Sequence, residues 1–140
     1  MCGFLGKISK KPFDNNKLIE ANGYLTCRGP DEFQNLYGNF SSIFQNDDLN
    51  NFSFLFNRLS IIDLGPNSSQ PMISKKYKTV VMFNGEIFNH QKLRDSMEED
   101  GIKFYSDPSD TEVVLNGLSE YGINFINEFI VQFSIVFYDS

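Results

Sequence analysis

The chain predicts an α+β fold, a layered sandwich in which sheets are covered by helices. Three features of element order carry that expectation. Strand-like segments come early, with connections of hairpin length. Helix-like segments are grouped between the later strands. The apolar run Phe129 to Tyr138 has hydrophobic residues on both faces, which a strand needs only when it is covered from both sides. With 140 residues, 41% hydrophobic and 15% aromatic, the chain can close one compact core, and it reads as one domain over residues 1–140.

Gly3 to Ile8 is a short apolar strand punctuated by glycines and stopped by Pro12. Leu18, Ile19, Asn22 and Leu25 then fit a short helix from Asn16 that an Asn can cap. Arg28-Gly29-Pro30-Asp31 cannot continue a helix, because proline disfavours the α conformation at Gly29 and lacks an amide donor, so it forms a turn. Gln34 to Tyr37, Phe40 to Gln45 and Phe52 to Ile61 read as strands. Phe52, Phe54 and Phe56 share a face of the third with Arg58. Gly65 to Pro71 is a loop by composition, and Lys75 to Lys78 a solvated turn into a strand over Thr79 to Phe83, which Asn84-Gly85 ends. Asn89 caps a helix to about Asp100, with Leu93 and Met97 inward and Gly101 as its stop. A short strand at Lys103 to Tyr105 precedes Ser109-Asp110-Thr111-Glu112, a capping box opening a helix whose buried stripe is Val114, Leu118 and Tyr121.

Composition excludes several function classes. Twelve basic against eighteen acidic residues give a net charge of −6, and the longest basic runs are pairs, so nucleic acid is not the expected partner. No apolar run is long enough to span a membrane, and the N-terminus lacks a signal-peptide core, so the expected location is the cytoplasm. Cys2, Cys27 and the single His90 have no metal-ligand spacing, and both cysteines are expected to be reduced thiols.

The chemistry begins at Met1-Cys2-Gly3. If Met1 is removed, Cys2 carries a free α-amine with a pKa of about 7.7–8.0, which can take the thiol proton, so nucleophile and base share one residue. The plain alternative is a small buried thiol. Asn84-Gly85 is either a simple turn, the commoner case, or a pair of donors for a developing oxyanion. Arg58 is either a rim residue covering Phe56 or a buried cation awaiting a carboxylate. Asp110 suits a helix start, Glu86 a charged surface, and nothing marks His90 as a base.

Met1-Cys2-Gly3 with Gly6, Arg28-Gly29-Pro30-Asp31, Asn57-Arg58-Leu59-Ser60-Ile61-Ile62-Asp63, Gln70-Pro71-Met72, Phe83-Asn84-Gly85-Glu86-Ile87-Phe88-Asn89, Leu93-Arg94 and Ser109-Asp110-Thr111-Glu112-Val113 occur in this order. Together they resemble the glutaminase domain of asparagine synthetase, a class II glutamine amidotransferase of the N-terminal nucleophile hydrolase group. The resemblance spans nearly the whole chain. It implies a four-layer αββα sandwich of two mainly antiparallel sheets and hydrolysis of L-glutamine to glutamate and ammonia. Cys2 would attack the side-chain amide while its amine moves the proton, with Asn84 and the Gly85 amide holding the oxyanion. Arg58 would bind the substrate carboxylate, Asp110 and Glu86 its ammonium group, and the backbone of Leu59, Ser60, Ile61 and Ile62 would line the pocket.

The resemblance implies no metal and no cofactor for this chain. ATP and magnesium belong to a synthetase domain, expected as a partner in cis or in trans, with asparagine biosynthesis as the setting. Two departures stand out: Cys27 where the family usually has His, and Ile130-Val131-Gln132 in place of a small, glycine-containing stretch. The family continues through further strands beyond the position of Ser140, so the chain reads as an incomplete glutaminase domain whose last strand has an uncovered edge that favours association, a homodimer included. An inactive or regulatory glutamine-binding fragment, or the glutaminase of another asparagine-synthetase-like amidotransferase, are the alternatives.

Overall fold

The computed structural model describes residues 2–45, 50–59, 69–106 and 109–140. The expectations that fall on 60–68, including the end of the third predicted strand, much of the Gly65 loop and the Ser60, Ile61 and Ile62 positions, lie outside the described residues. The class is α+β as expected: two three-stranded antiparallel sheets accompanied by helices. The chain divides into two compact units, Met1–Ser60 with Ser140, and Ile61–Asp139.

In the first unit β1 (Gly3–Ser9) and β2 (Glu32–Asn39) flank the central strand β3 (Asn51–Arg58). Centrality explains the composition of β3, which is buried from Phe52 to Arg58. Its aromatic face carries Phe52, Phe54 and Phe56, with Phe40 stacked 4.4 Å from Phe52 and Phe4 stacked on Phe56. Removing each such ring from water is worth about 1.5–3 kcal/mol. The opposite face takes α1 (Asn15–Asn22) through hydrogen bonds rather than oil: Ser53 Oγ donates to Asn15 Oδ1 at 2.6 Å, and Asn22 and Asn57 exchange side-chain amides at 2.8 and 3.1 Å. Asp14, not an asparagine, caps α1 by accepting from the Asn16 amide. A 3-10 segment, Gly23–Arg28, leads into the Gly29-Pro30 turn.

Phe40 to Gln45 is not a strand. It forms α2 (Phe40–Phe44), because Asn39 Oδ1 accepts from the Ser42 amide as an N-cap and the four-residue spacing of Phe40 and Phe44 puts both rings on one buried face.

The second unit holds β4 (Met72–Ser74), β5 (Thr79–Ile87) and β6 (Val131–Asp139) in that order, with α3 (His90–Glu99) and α4 (Asp110–Tyr121). Its core joins Val81, Phe83 and Ile87 of β5 to Val114, Leu115 and Leu118 of α4. β5 does not end at Asn84-Gly85 but runs through it, since Asn84, Gly85, Glu86 and Ile87 pair with Ser134, Phe133, Gln132 and Val131. The ladder with a strand distant in sequence overrides the local turn preference of Asn-Gly. β6 begins at Val131 rather than Phe129 and is only half-buried, with Gln132 to Ser134 exposed, so it is not covered on both faces as its composition predicted.

Four further expectations do not hold. Asn89 does not cap α3 with its side chain; it instead donates to the Glu128 carbonyl and accepts from the Ile130 amide. Lys103 to Tyr105 is not a strand. Nor does Ser109-Glu112 close a reciprocal capping box: the Ser109 side chain makes no cap bond, and the buried Glu112 carboxylate accepts from the amides of Tyr105 and Ser106 at 2.9 and 2.8 Å. Those two amides, unsatisfied without a strand partner, draw the carboxylate away from the helix end. Tyr121 is 42% exposed and stacks on Phe125, leaving Val114 and Leu118 as the buried members of their stripe.

Candidate functional site

The predicted residues assemble into two groups, one in each unit. The first is built on the end of β3. Antiparallel register sets Gly3 opposite Asn57 and Glu32 opposite Arg58, which brings Cys2 to the level of Arg58 on the other flank. Cys2 Sγ, half-buried, accepts from the Leu59 amide at 3.4 Å and lies 3.9 Å from the Leu59 carbonyl. Arg28 Nε donates to the Cys2 carbonyl at 3.3 Å, pinning the backbone of the same residue. A thiol acts as nucleophile only as thiolate, so a proton acceptor for Cys2 is part of any chemistry placed here.

Arg58 is not a rim residue. It is buried, and its Nη1 makes a 3.0 Å ion pair with Glu32 Oε2. Desolvating a guanidinium without a carboxylate is costly, and the Glu32 carboxylate offsets that cost. Glu32 belongs to none of the motifs that stand out in the sequence. The usable signal was its place directly after the Arg28-Gly29-Pro30-Asp31 turn, opposite the one cationic position of β3, but the β2–β3 register that makes the pair is not visible in a linear sequence.

Gly29 supports the same corner. A Cβ there would stand 2.2 Å from the Asn57 carbonyl oxygen and 2.7 Å from the Arg58 carbonyl carbon, so the turn can approach β3 only as glycine. Its φ of −152° is accessible to any residue, and the reason for glycine is therefore closeness, not conformational freedom.

The second group surrounds the end of β5. Asn84 and Glu86 alternate onto one face of the strand and Gly85 onto the other, with Asn84 half-buried and Gly85 and Glu86 exposed. A Cβ on Gly85 would come within 2.6 Å of the Gln132 carbonyl oxygen and 2.8 Å of the Phe83 ring. Asp110, first residue of α4, reaches back to β5: its Oδ2 accepts from the Ile87 amide at 3.2 Å. Burial raises the Asp110 pKa above the ordinary carboxylate value; amide hydrogen bonds from Ile87 and Thr111 and the charge on His90 oppose that rise, and Glu86 adds to it. A buried carboxylate of this kind is set to gain from a cationic ligand.

His90 Nδ1 lies 2.9 Å from the Ile87 carbonyl, as a residue closing the strand-to-helix connection. Among the described residues no cluster of three or more histidine, cysteine or acidic side chains could hold a metal, and no helix is long and apolar enough to cross a membrane. Both cysteines are free thiols.

The family model described as a glutamine amidotransferase domain matches residues 1–140. The chain is 37% identical over 126 residues to asparagine synthetase [glutamine-hydrolyzing] 1 of Bacillus subtilis, covering 86% of this chain and 18% of that protein. It is 33% identical over 144 residues to asparagine synthetase B of Escherichia coli, covering 100% of this chain and 22% of that one. The chain thus spans about a fifth of the length of these curated relatives. A solved structure of glutamine phosphoribosylpyrophosphate amidotransferase from B. subtilis has a TM-score of 0.73 at 17% identity, covering 99% of this chain and 35% of that one, and so shares its fold.

Proposed function

The chain belongs to the glutamine amidotransferase domain family, and from that premise we propose that it is a glutaminase whose ammonia serves an ATP-dependent synthetase of the asparagine synthetase type. The observation that carries the reading is the pairing, on one end of β3, of a half-buried residue-2 thiol with a buried, carboxylate-anchored guanidinium. A nucleophile and a carboxylate receptor at one strand end suit an amide substrate that also carries a carboxylate, as an amino-acid amide does.

In this reading Met1 is removed and the Cys2 amine takes the thiol proton. The sulfur attacks the side-chain amide carbon of glutamine, and the carbonyl oxygen becomes an oxyanion held by the Asn84 amide group and the Gly85 N–H. Collapse expels ammonia, to which the amine returns the proton, and leaves a γ-glutamyl thioester. Water attacks that thioester by the same route and frees glutamate and the thiol. Arg58, oriented by Glu32, binds the α-carboxylate, Asp110 and Glu86 receive the α-ammonium, and the backbone from Leu59 to Ile62 lines the pocket. L-Glutamine is the substrate, a synthetase domain or subunit the partner, and the cytoplasm the setting.

The test is ammonia release from glutamine by protein whose intact mass shows Met1 removed. Cys2→Ala should abolish turnover while still binding glutamine, and Arg58→Ala should weaken binding by about 2–5 kcal/mol, the cost of losing one partner of a buried charge pair. Turnover by Cys2→Ala, or full activity with Met1 attached, would refute the assignment.

A further inference from the structure

Gln70 is buried, yet it has no role in the chemistry above. In the β4–β5 ladder Met72 faces Val81, so two places further along Gln70 stands opposite Phe83. Backbone pairing has stopped there, since the ladder ends at the Met72 and Val81 pair. The Gln70 side chain takes over. Its Oε1 accepts from the Phe83 amide at 2.6 Å, and its Nε2 donates to the Phe83 carbonyl at 3.1 Å. The same Nε2 donates at 3.1 Å to Thr111 Oγ1, in the first turn of α4. One primary amide thus acts as a strand extension to β5 and as a tether to the helix.

What the tether spans is the second group of site residues. Asn84, Gly85 and Glu86 lie between two points fixed to the start of α4: Phe83, joined through Gln70 to Thr111, and Ile87, joined directly to Asp110. The stretch can shift along or away from α4 only if one of those bonds breaks. All three Gln70 bonds are buried, where an unmade bond leaves a desolvated donor or acceptor and geometry is held tightly.

We propose that Gln70 is a positioning residue for glutamine binding and turnover, whose side-chain amide sets the placement of Asn84 and Gly85 against Asp110. The inference rests on the glutaminase reading, in which the oxyanion donors and the ammonium acceptor must meet different ends of one substrate. An error of about 1 Å in such a placement can cost a factor of about 100 in rate. Thr111 transmits the restraint to Asp110, and Phe83 transmits it to Asn84.

The experiment measures steady-state glutaminase kinetics in the full chain, with glutamine affinity measured by calorimetry in the Cys2→Ala background. Thr111→Val removes the tether to the helix but keeps both Phe83 bonds; it should raise the glutamine KM and Kd about tenfold with kcat within about twofold, and Thr111→Ser should restore both. Gln70→Ala releases both ends and should lower kcat about tenfold as well as raise KM. A merely structural role would lower the amount of active protein, and hence the apparent kcat, while leaving KM and Kd alone. If wild type binds and hydrolyses glutamine but KM and Kd are unaltered in Thr111→Val and in Gln70→Ala, the proposal is wrong. Should Gln70→Ala fail to fold, Thr111→Val and its Ser rescue decide the matter. A wild-type chain that neither binds nor hydrolyses glutamine overturns the glutaminase reading, and this inference with it.

Discussion

Replacing Gly29 by alanine gives a sharp test of why the corner beneath Arg58 is built as it is. Alanine normally stabilises such a position by about 0.4–1 kcal/mol, because it restricts the unfolded chain, provided the native backbone accepts it. The φ of −152° does accept it. The added methyl, however, would sit 2.2 Å from the Asn57 carbonyl oxygen, 2.4 Å from its carbonyl carbon and 2.7 Å from the Arg58 carbonyl carbon. Ordinary C···O approach is about 3.3 Å, so the turn and β3 must separate by roughly 1 Å. All three obstacles are backbone, and no rotamer change relieves them. Overpacking costs about 1–3 kcal/mol where side chains can yield, and here the upper end applies. The net loss is about 2–3 kcal/mol, which for a chain of this size lowers the thermal midpoint by roughly 10 °C. Circular dichroism melts of wild type, Gly29→Ala and the control Gly23→Ala measure it; the control has nothing within 4 Å of the new methyl and should be neutral or slightly stabilised. The glutamine KM of Gly29→Ala should also rise, since Arg58 moves with its backbone. A Gly29→Ala midpoint within about 2 °C of wild type would show that close approach is not what requires the glycine.

Asp110→Asn should be at least as stable as wild type at neutral pH while losing glutamine affinity. Burial raises the folded-state pKa of this carboxyl above 3.8, so its contribution to stability is fully present below that value and lost as pH rises through the folded pKa. Denaturant melts across that range should show the advantage of Asn at pH 7 fading in acid, and a clearly less stable variant at pH 7 would contradict the argument. For the same reason the wild-type glutamine KM should begin to rise, on acidification, at a pH above that of an ordinary carboxylate. Asn22→Ala should cost about 1–3 kcal/mol, because the Asn57 amide is left buried without its partner, and the Asn22→Ala/Asn57→Ala double variant should lose less than the sum of the singles. Additive losses in the denaturation midpoints would mean the two amides do not act as a pair.

Much of the chain was legible because local pattern and tertiary role agree. The alternation of Phe52, Phe54 and Phe56, the stop at Pro12 and the turn at Gly29-Pro30 each reflect restrictions that act within a few residues. The failures share one cause. Asn84-Gly85 prefers a turn but lies in β5 because β6 pairs across it; Phe40 to Gln45 reads as a strand by its flanking turns but is capped into α2 by Asn39; and Glu112 abandons its own helix end for the amides of Tyr105 and Ser106.

Local pattern was enough for the α+β class, for the residue-2 thiol with its neighbouring glycine, and for the order of motifs that made Arg58, Asn84, Gly85 and Asp110 candidate site residues. Only tertiary structure decided that Arg58 is buried on Glu32, that Cys2 sulfur rests on the Leu59 amide, and that Gln70 ties β5 to α4. The physical reason is range. Steric and propensity effects act over a few residues and are written in the local sequence, whereas burial, ion pairing and amide satisfaction depend on partners 26 to 57 residues apart, brought together by register and packing.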